Sequence, residues 1–194
     1  RIMSFINACL ESNKTLFNII RSGALSTEMF IKNEVGAGGD KSAGVDLLSE
    51  DIFLKHLESY GKIISEEGGV LNEGDLQIYL DPIDGSDNFL SGFPYYGTSV
   101  ALCDGDKTLE SMVCNLANGD CYIRDKDGFR YINLISDEYR NYNSRTSPYV
   151  GILEKPYSNV EIAEALSESK MKFRSPGAIA LSLAYSRNVN FVIF

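Results

Sequence analysis

One short segment limits what this chain can fold into more than any other, namely residues 76–86, which read LQIYLDPIDGS. Apolar and more polar positions alternate over residues 76–80, which predicts a β-strand. Pro82 has no N–H to give to a strand ladder, so we predict that the strand ends there and that the chain turns. The turn then carries two carboxylates, Asp81 and Asp84, three residues apart at the end of a strand.

The chemistry of this turn suits a hard cation and an anion together. Mg²⁺ takes oxygen ligands and is usually held by one or two carboxylates plus substrate phosphate, which Asp81 and Asp84 can provide. Gly85 lets the backbone approach an anion closely, and Ser86 begins a predicted helical turn whose first N–H groups favour a bound phosphate. The alternative is a turn without chemistry, because Asp-Pro and Asp-Gly pairs are common in ordinary turns.

A second acidic pair, Glu66 and Glu67, follows a predicted short strand at residues 62–65. Neighbouring side chains of an extended segment point to opposite sides, so we expect only one of the two to face Asp81. By itself such a pair is ordinarily a solvated acidic surface. Two acidic groups that each follow an apolar strand favour instead a site in which divalent cations activate a water molecule.

Composition excludes several classes of protein. The chain has 194 residues, 44% of them apolar and 23% charged, which is typical of a soluble globular protein with a packed core. Its net charge of −9 argues against a nucleic-acid partner. The sequence contains no apolar run near the ~20 residues that a membrane helix needs, so we expect no membrane association.

The four cysteines and the chain ends complete this picture. Cys9, Cys103, Cys114 and Cys121 show no Cys-x-x-Cys spacing, so we predict buried, reduced thiols of a cytoplasmic protein. The chain starts at Arg1, and residues 189–194 are strand-like with no polar tail after them. We therefore expect a piece of a longer protein.

Along the chain, the hydrophobic pattern predicts an α/β protein of the layered α+β kind with two lobes. The N-terminal lobe covers residues 1–135 and the C-terminal α/β lobe covers 136–194, incomplete at its end. The predicted elements are helical segments over residues 1–20, a Gly-rich loop or hairpin over 35–44, a helix over 47–57, a strand meander at 98–103, 111–116 and 121–123, strands at 149–153, 171–173 and 189–194, and helices at 160–167 and 177–187.

Residues 81–89, DPIDGSDNF, resemble the signature of the inositol monophosphatase and fructose-1,6-bisphosphatase superfamily of Mg²⁺-dependent phosphatases. Residues 64–67, ISEE, resemble the Glu-Glu metal motif of that superfamily, and residues 39–46 resemble its mobile loop and the aspartate after it. Residues 174–180, RSPGAIA, resemble the segment that lines its substrate pocket. The resemblance implies an alternating α-β-α-β-α sandwich that is incomplete at the C-terminus.

The resemblance also implies roles for single residues. These are metal binding by Glu66, Asp81, Asp84 and the backbone carbonyl of Ile83, phosphate binding by Gly85 and Ser86, catalysis by Glu66, Asp46 and Ser86, and substrate binding by Asp84, Gly177 and Ala178. Lys41 and Glu67 match the corresponding positions of the family's motifs less well. The family has a further aspartate, in a Trp-Asp or similar motif, and this sequence contains no Trp.

The function implied by the resemblance is hydrolysis of a small phosphate monoester of the inositol phosphate type, with two or three Mg²⁺ ions and water as the nucleophile. The first alternative is fructose-1,6-bisphosphatase, and adenosine bisphosphate or histidinol phosphate are further possible substrates. An alternative of another class is a protein that binds metal and phosphate without turnover. The expected partners are a small phosphorylated metabolite and a second copy of the chain in a homodimer.

Overall fold

The computed structural model of the chain describes residues 3–35, 41–140 and 148–194. The helices are α1 (Phe5–Ser22), α2 (Gly44–Leu57), α3 (Ser86–Leu90), α4 (Val160–Glu168) and α5 (Ile179–Ala184). The strands are β1 (Lys32–Val35), β2 (Lys41–Ala43), β3 (Lys62–Ser65), β4 (Gly69–Val70), β5 (Gln77–Asp84), β6 (Gly97–Asp104), β7 (Lys107–Asn115), β8 (Asp120–Asp125), β9 (Gly128–Asn133), β10 (Glu138–Arg140), β11 (Gly151–Leu153), β12 (Phe173–Arg174) and β13 (Val192–Ile193).

Eight strands form one large sheet in the order β10-β9-β8-β7-β6-β5-β3-β4. Strands β6 to β8 pair in sequence order and antiparallel, so the predicted meander is confirmed, and β9 extends it by one strand that the sequence analysis did not predict. Its tight connections carry glycine at positive φ, as at Gly105 and Gly128. Within this sheet β3 and β5 run parallel, and that pairing brings the ends of the two strands to the same edge.

Helices α1 and α2 cover one face of the large sheet and enclose the main core. The predicted helical segments near the N-terminus are a single helix, which Ser4 caps by accepting the Asn7 N–H at 3.3 Å. Gly23 ends it at φ 67°, a conformation that glycine adopts without steric cost. Fully buried side chains of the core include Leu16, Phe53, Leu57, Ile63, Ile78, Met112, Ile123 and Ile132.

The opposite face of the large sheet meets α5 and the short 3-10 helix after it, where the Tyr185 and Tyr122 rings are 5.3 Å apart. A second sheet lies beyond, with three parallel strands in the order β12-β11-β13. The β11–α4–β12 connection and the β12–α5–β13 connection cross this sheet in opposite directions. Because connections between parallel strands are right-handed, α4 and α5 lie on opposite faces of the sheet. The layers therefore alternate α-β-α-β-α, as predicted.

The prediction that strand β5 ends at Pro82 is wrong. The strand continues to Asp84, which pairs with Gly97 of β6, and the pairing register shifts between Asp81 and Asp84. Pro82 falls in this irregular stretch, where its missing N–H takes no bond from the ladder. The Ser49 hydroxyl of α2 donates to the Pro82 carbonyl at 2.7 Å and holds the bulge in place.

The prediction of four reduced thiols is wrong for two of them. Cys114 and Cys121 form a disulfide, because the β7–β8 register sets them directly opposite each other with Cα atoms 4.0 Å apart. Cys9 and Cys103 are free and buried, as predicted.

The described residues bear on two further expectations, the loop or hairpin at residues 35–44 and the absence of a membrane helix. Strands β1 and β2 pair antiparallel, which favours the hairpin over the loop for residues 35–44, although residues 36–40 and the side chain of Lys41 lie outside the described part. Within that part, no helix is both long and apolar enough to cross a bilayer. The lobe boundary at residue 135 stays a prediction.

Candidate functional site

The acidic side chains predicted from two separate motifs lie side by side at one edge of the large sheet. Ser65 pairs with Leu80 in the parallel β3–β5 ladder, and the Glu66 N–H donates to the Leu80 carbonyl at 3.0 Å. Glu66 and Asp81 therefore follow equivalent positions of neighbouring strands, and both line one cavity of about 350 Å³. This juxtaposition depends on the parallel pairing of two strands.

Burial and mutual repulsion disturb the titration of the acidic groups at this edge. The pKa of Asp81 is raised to about 8, mainly by burial and then by the charges of Asp84, Glu66, Asp46 and Glu67, in that order. Burial likewise raises the pKa of Asp46 to about 7, and Glu67 contributes more to this rise than Glu66 does. Both Glu66 and Glu67 act on these aspartates through their charge, and Glu66 lines the cavity together with Asp81. That only one of the pair faces Asp81 stays a prediction.

Asp46 shows most directly that the site suits a cation. It sits in the first turn of α2, is 1% exposed, and its Oδ2 accepts the Ala43 N–H at 2.7 Å. Its Oδ1 is buried and has no hydrogen-bond partner among the described residues. A buried carboxylate oxygen without a donor costs free energy, which a divalent cation would offset.

The oxygen-rich donor set fits Mg²⁺ better than a softer metal. In the described part of the chain, no group of three or more histidine, cysteine or acidic side chains is arranged so that it could hold a metal ion. A Mg²⁺ ion here would therefore need waters, a backbone carbonyl or substrate oxygens as further ligands. Ile83, whose carbonyl was assigned such a role by resemblance, is buried in the β5 bulge between the two aspartates.

The predicted phosphate turn directly follows these carboxylates. Gly85 has φ 83° and precedes α3, which begins at Ser86 as predicted. A Cβ atom at Gly85 would lie 2.9 Å from the Cβ of Ala178 and 3.0 Å from the Tyr95 carbonyl oxygen. Ala178, predicted to face the substrate, thus packs against the phosphate turn although it lies 93 positions after Gly85 in the sequence.

We call Asp46, Glu66, Asp81 and Asp84 the acidic edge. Asp84 also lines a second cavity of about 360 Å³, as do Gly177 and Ile179. Its Oδ2 accepts the Leu181 N–H at 2.9 Å, at the start of α5. Burial raises the pKa of Asp84 to about 6, while hydrogen bonds from α5 backbone N–H groups partly oppose the rise. The structure thus brings Asp84 and Gly177 together around one pocket, whereas Ala178, predicted to bind substrate, is 1% exposed and does not line this pocket.

Two residues that the sequence analysis left without a role organise this pocket. The Asn88 side-chain amide donates to the Tyr95 and Pro176 carbonyls, each at 2.7 Å, and so joins α3 to the later segment. Glu154, at the end of β11, is 1% exposed and accepts the Gly177 N–H at 2.9 Å. Asn88 stands inside the recognised motif, but Glu154 carries no sequence signal because its partners depend on the packing of the second sheet.

Comparisons with known proteins agree with this arrangement. The model of the inositol monophosphatase family matches residues 5–185. A fructose-1,6-bisphosphatase/inositol-1-monophosphatase of Methanothermobacter thermautotrophicus is 33% identical over 181 residues, which cover 83% of this chain and 64% of that protein. A fructose-1,6-bisphosphatase of Pyrococcus furiosus is 30% identical over 158 residues, which cover 78% of this chain and 58% of that protein. The chain thus spans less than two thirds of the length of both relatives.

Solved structures share the fold at lower identity. The crystal structure of an inositol monophosphatase-fructose 1,6 bisphosphatase gene product has a TM-score of 0.75 at 22% identity, covering 97% of this chain and 74% of that one. The fructose-1,6-bisphosphatase of Leishmania major has a TM-score of 0.74 at 17% identity, covering 94% of this chain and 70% of that one. With the motifs, the acidic edge and the match over residues 5–185 taken together, this chain belongs to the inositol monophosphatase family.

Proposed function

We propose that the protein is a Mg²⁺-dependent phosphatase that hydrolyses a small phosphate monoester of the inositol phosphate type. The observation that carries this proposal is the convergence of Asp46, Asp81 and Asp84, all with raised pKa values, beside the Gly85 turn. Family membership supports it, and the relatives named above carry phosphatase names. A small phosphorylated metabolite is the corresponding substrate class.

In this proposal the acidic edge holds two or three Mg²⁺ ions through Glu66, Asp81, Asp84 and the Ile83 carbonyl. Bound Mg²⁺ supplies charge stabilisation at phosphorus and lowers the pKa of a coordinated water. Asp46, with an oxygen that lacks a donor, is suited to accept a proton from the attacking water.

The phosphate and the organic part of the substrate have separate places in the proposal. The first N–H groups of α3, at Gly85 and Ser86, bind the phosphate, because a helix start leaves such groups without partners inside the helix. The pocket lined by Asp84 and Gly177 receives the organic part of the ester. Ala178, next to Gly177 in the chain, packs against the phosphate turn.

The direct test measures phosphate release by the full-length protein from inositol 1-phosphate and related esters, with Mg²⁺ and with EDTA. Asp84→Asn should lower the rate to below about 1% of the wild type, because it removes several kcal/mol of transition-state stabilisation while Asn can still accept the Leu181 N–H. Asp106→Asn, in an exposed turn, is the matched control and should keep the full rate. Unchanged turnover in Asp84→Asn removes Asp84 from the mechanism.

A second candidate function, fructose-1,6-bisphosphatase, is favoured by the far end of the same pocket. Lys155 and Tyr157 line the pocket together with Asp84, and Lys155 has an exposed cationic side chain. A cation there suits a substrate that carries a second anionic group. Lys155→Ala should then raise KM for fructose 1,6-bisphosphate about tenfold, worth about 1.4 kcal/mol, and change KM for inositol 1-phosphate less than twofold. Equal effects on both esters would contradict the bisphosphate assignment.

Calorimetry separates the alternative of another class, a protein that binds without turnover. Mg²⁺ and inorganic phosphate binding without release from any ester would favour that alternative. The homodimer and the cytoplasmic location stay predictions. The argument from reduced thiols for the cytoplasm does not hold for Cys114 and Cys121, which are bonded to each other.

A further inference from the structure

The carboxylate of Glu154 is buried at the junction of the second sheet and the candidate pocket. Glu154 follows β11, is 1% exposed, and its backbone N–H donates to the Ile193 carbonyl at 2.8 Å. The pocket wall beside it also includes Gly177 and Asp84. A buried carboxylate is costly unless its oxygens receive hydrogen bonds, so the identity of its donors matters.

Both oxygens of Glu154 receive donors from the segment that forms the pocket wall. Oε2 accepts the Gly177 N–H at 2.9 Å, and Oε1 accepts the hydroxyl of Ser182, which lies in α5. Ser182 is fully buried, and its hydroxyl oxygen is also 3.2 Å from the Tyr95 hydroxyl. The Gly177 N–H can only donate, so the position needs an acceptor that reaches it, and the Ser182 hydroxyl adds a second contact to the same side chain.

Two further hydrogen bonds hold this pocket wall, which includes Pro176 and Gly177. The Asn88 amide donates to the Pro176 carbonyl at 2.7 Å, and Asp84 accepts the Leu181 N–H at 2.9 Å. Gly177 stands between these contacts at φ 82°, a conformation that glycine tolerates but does not prefer. Glu154 is therefore the contact that fixes the Gly177 amide itself and ties it to α5.

We propose that Glu154 is a positioning residue that sets the Pro176–Gly177 wall of the substrate pocket by accepting the Gly177 N–H and the Ser182 hydroxyl. It acts through the wall and touches no reacting atom. The inference rests on the proposed function, since it assigns this wall to the organic part of a phosphate ester. Loss of the contact weakens substrate binding before and during the reaction alike, so KM rises while kcat is kept.

The test compares Glu154→Ala, which removes both contacts, with the matched control Glu164→Ala, whose glutamate is exposed on α4. In the full-length protein, with the ester that the wild type hydrolyses, Glu154→Ala should raise KM at least fivefold and change kcat and the half-saturating Mg²⁺ concentration less than twofold. A purely structural role predicts a smaller folded fraction, hence lower kcat at unchanged KM. Unchanged KM in Glu154→Ala, or an equal rise in Glu164→Ala, overturns the inference.

A second variant and a second readout cover the remaining outcomes. Should Glu154→Ala fail to fold, Ser182→Ala removes one of the two donors and should raise KM at least twofold, with unchanged KM counting against the inference. Amide hydrogen exchange at Gly177 needs no turnover and should be at least tenfold faster in Glu154→Ala. A wild type that releases no phosphate overturns the proposed function alone, and unchanged exchange at Gly177 then overturns this inference.

Discussion

Two separate constraints require glycine at position 85. Its φ of 83° lies in the left-handed region, and an added Cβ would come within 2.9 Å of the Ala178 Cβ. The first constraint is local and follows from the turn between β5 and α3. The second arises only because a segment from the second half of the chain packs against that turn.

Gly85→Ala should therefore lower the free energy of unfolding by about 3 kcal/mol, since it adds a steric clash to the cost of the left-handed backbone. Gly105→Ala is the control, because φ is 54° there and no described atom lies within 4 Å of the added Cβ. That control should cost about 1 kcal/mol. Chemical denaturation of both variants measures the difference, and equal losses would mean that Ala178 moves away at no cost.

At the scale of elements, the site forms where the bulged end of β5, the short helix α3 and the segment before α5 meet. Asn88 joins them with two hydrogen bonds from one amide group. These bonds go to the carbonyl of Tyr95, shortly after α3, and to the carbonyl of Pro176, shortly before α5. A five-residue helix such as α3 has little stability of its own, so tertiary contacts of this kind hold it in place.

Asn88→Ala should cost about 2 kcal/mol of folding stability, because it leaves two carbonyl groups without their donor. It should also speed amide hydrogen exchange across residues 175–181 more than in the rest of the chain. Asn159→Ala, at an exposed position whose side chain makes no capping hydrogen bond, should change stability by less than about 0.5 kcal/mol. Exchange that rises uniformly through the protein would contradict a local role for Asn88.

At the scale of the whole molecule, the acidic edge couples folding to pH and to cations. The pKa values of Asp46, Asp81 and Asp84 are raised to about 7, 8 and 6, mainly by burial, against 3.8 for an ordinary aspartate. Between pH 4 and pH 8 the metal-free folded state consequently binds more protons than the unfolded chain. Stability must then fall as pH rises through this window.

We expect the metal-free protein to lose several kcal/mol of unfolding free energy between pH 5 and pH 8. Mg²⁺ at pH 8 should restore part of the loss, because it binds the ionised folded site and not the unfolded chain. Denaturation in EDTA and in excess Mg²⁺ at both pH values measures the two effects. Asp81→Asn should flatten the pH dependence, and a metal-free protein that is more stable at pH 8 would refute this electrostatic account.

Local patterns in the sequence were sufficient for the first half of the fold. Alternation and turn dipeptides predicted β3 and the meander, and the 3.6-residue period predicted α1 and α2, because in each case neighbours in sequence are also neighbours in space. The rule that proline ends a strand failed at Pro82, since the bulge of β5 places that residue where the ladder makes no bond. The disulfide was missed because it depends on the register of β7 against β8.

The sequence by itself determined the family and the residue types of the site, because the nine residues from Asp81 to Phe89 and the Glu66-Glu67 pair carry their chemistry in local order. Only the tertiary structure decided which groups meet. The parallel β3–β5 pairing sets Glu66 beside Asp81, and the packing of the second sheet brings Glu154 and Gly177 to Asp84. Contacts between distant residues depend on how layers stack and on strand register, and neither is written in the spacing of any single segment.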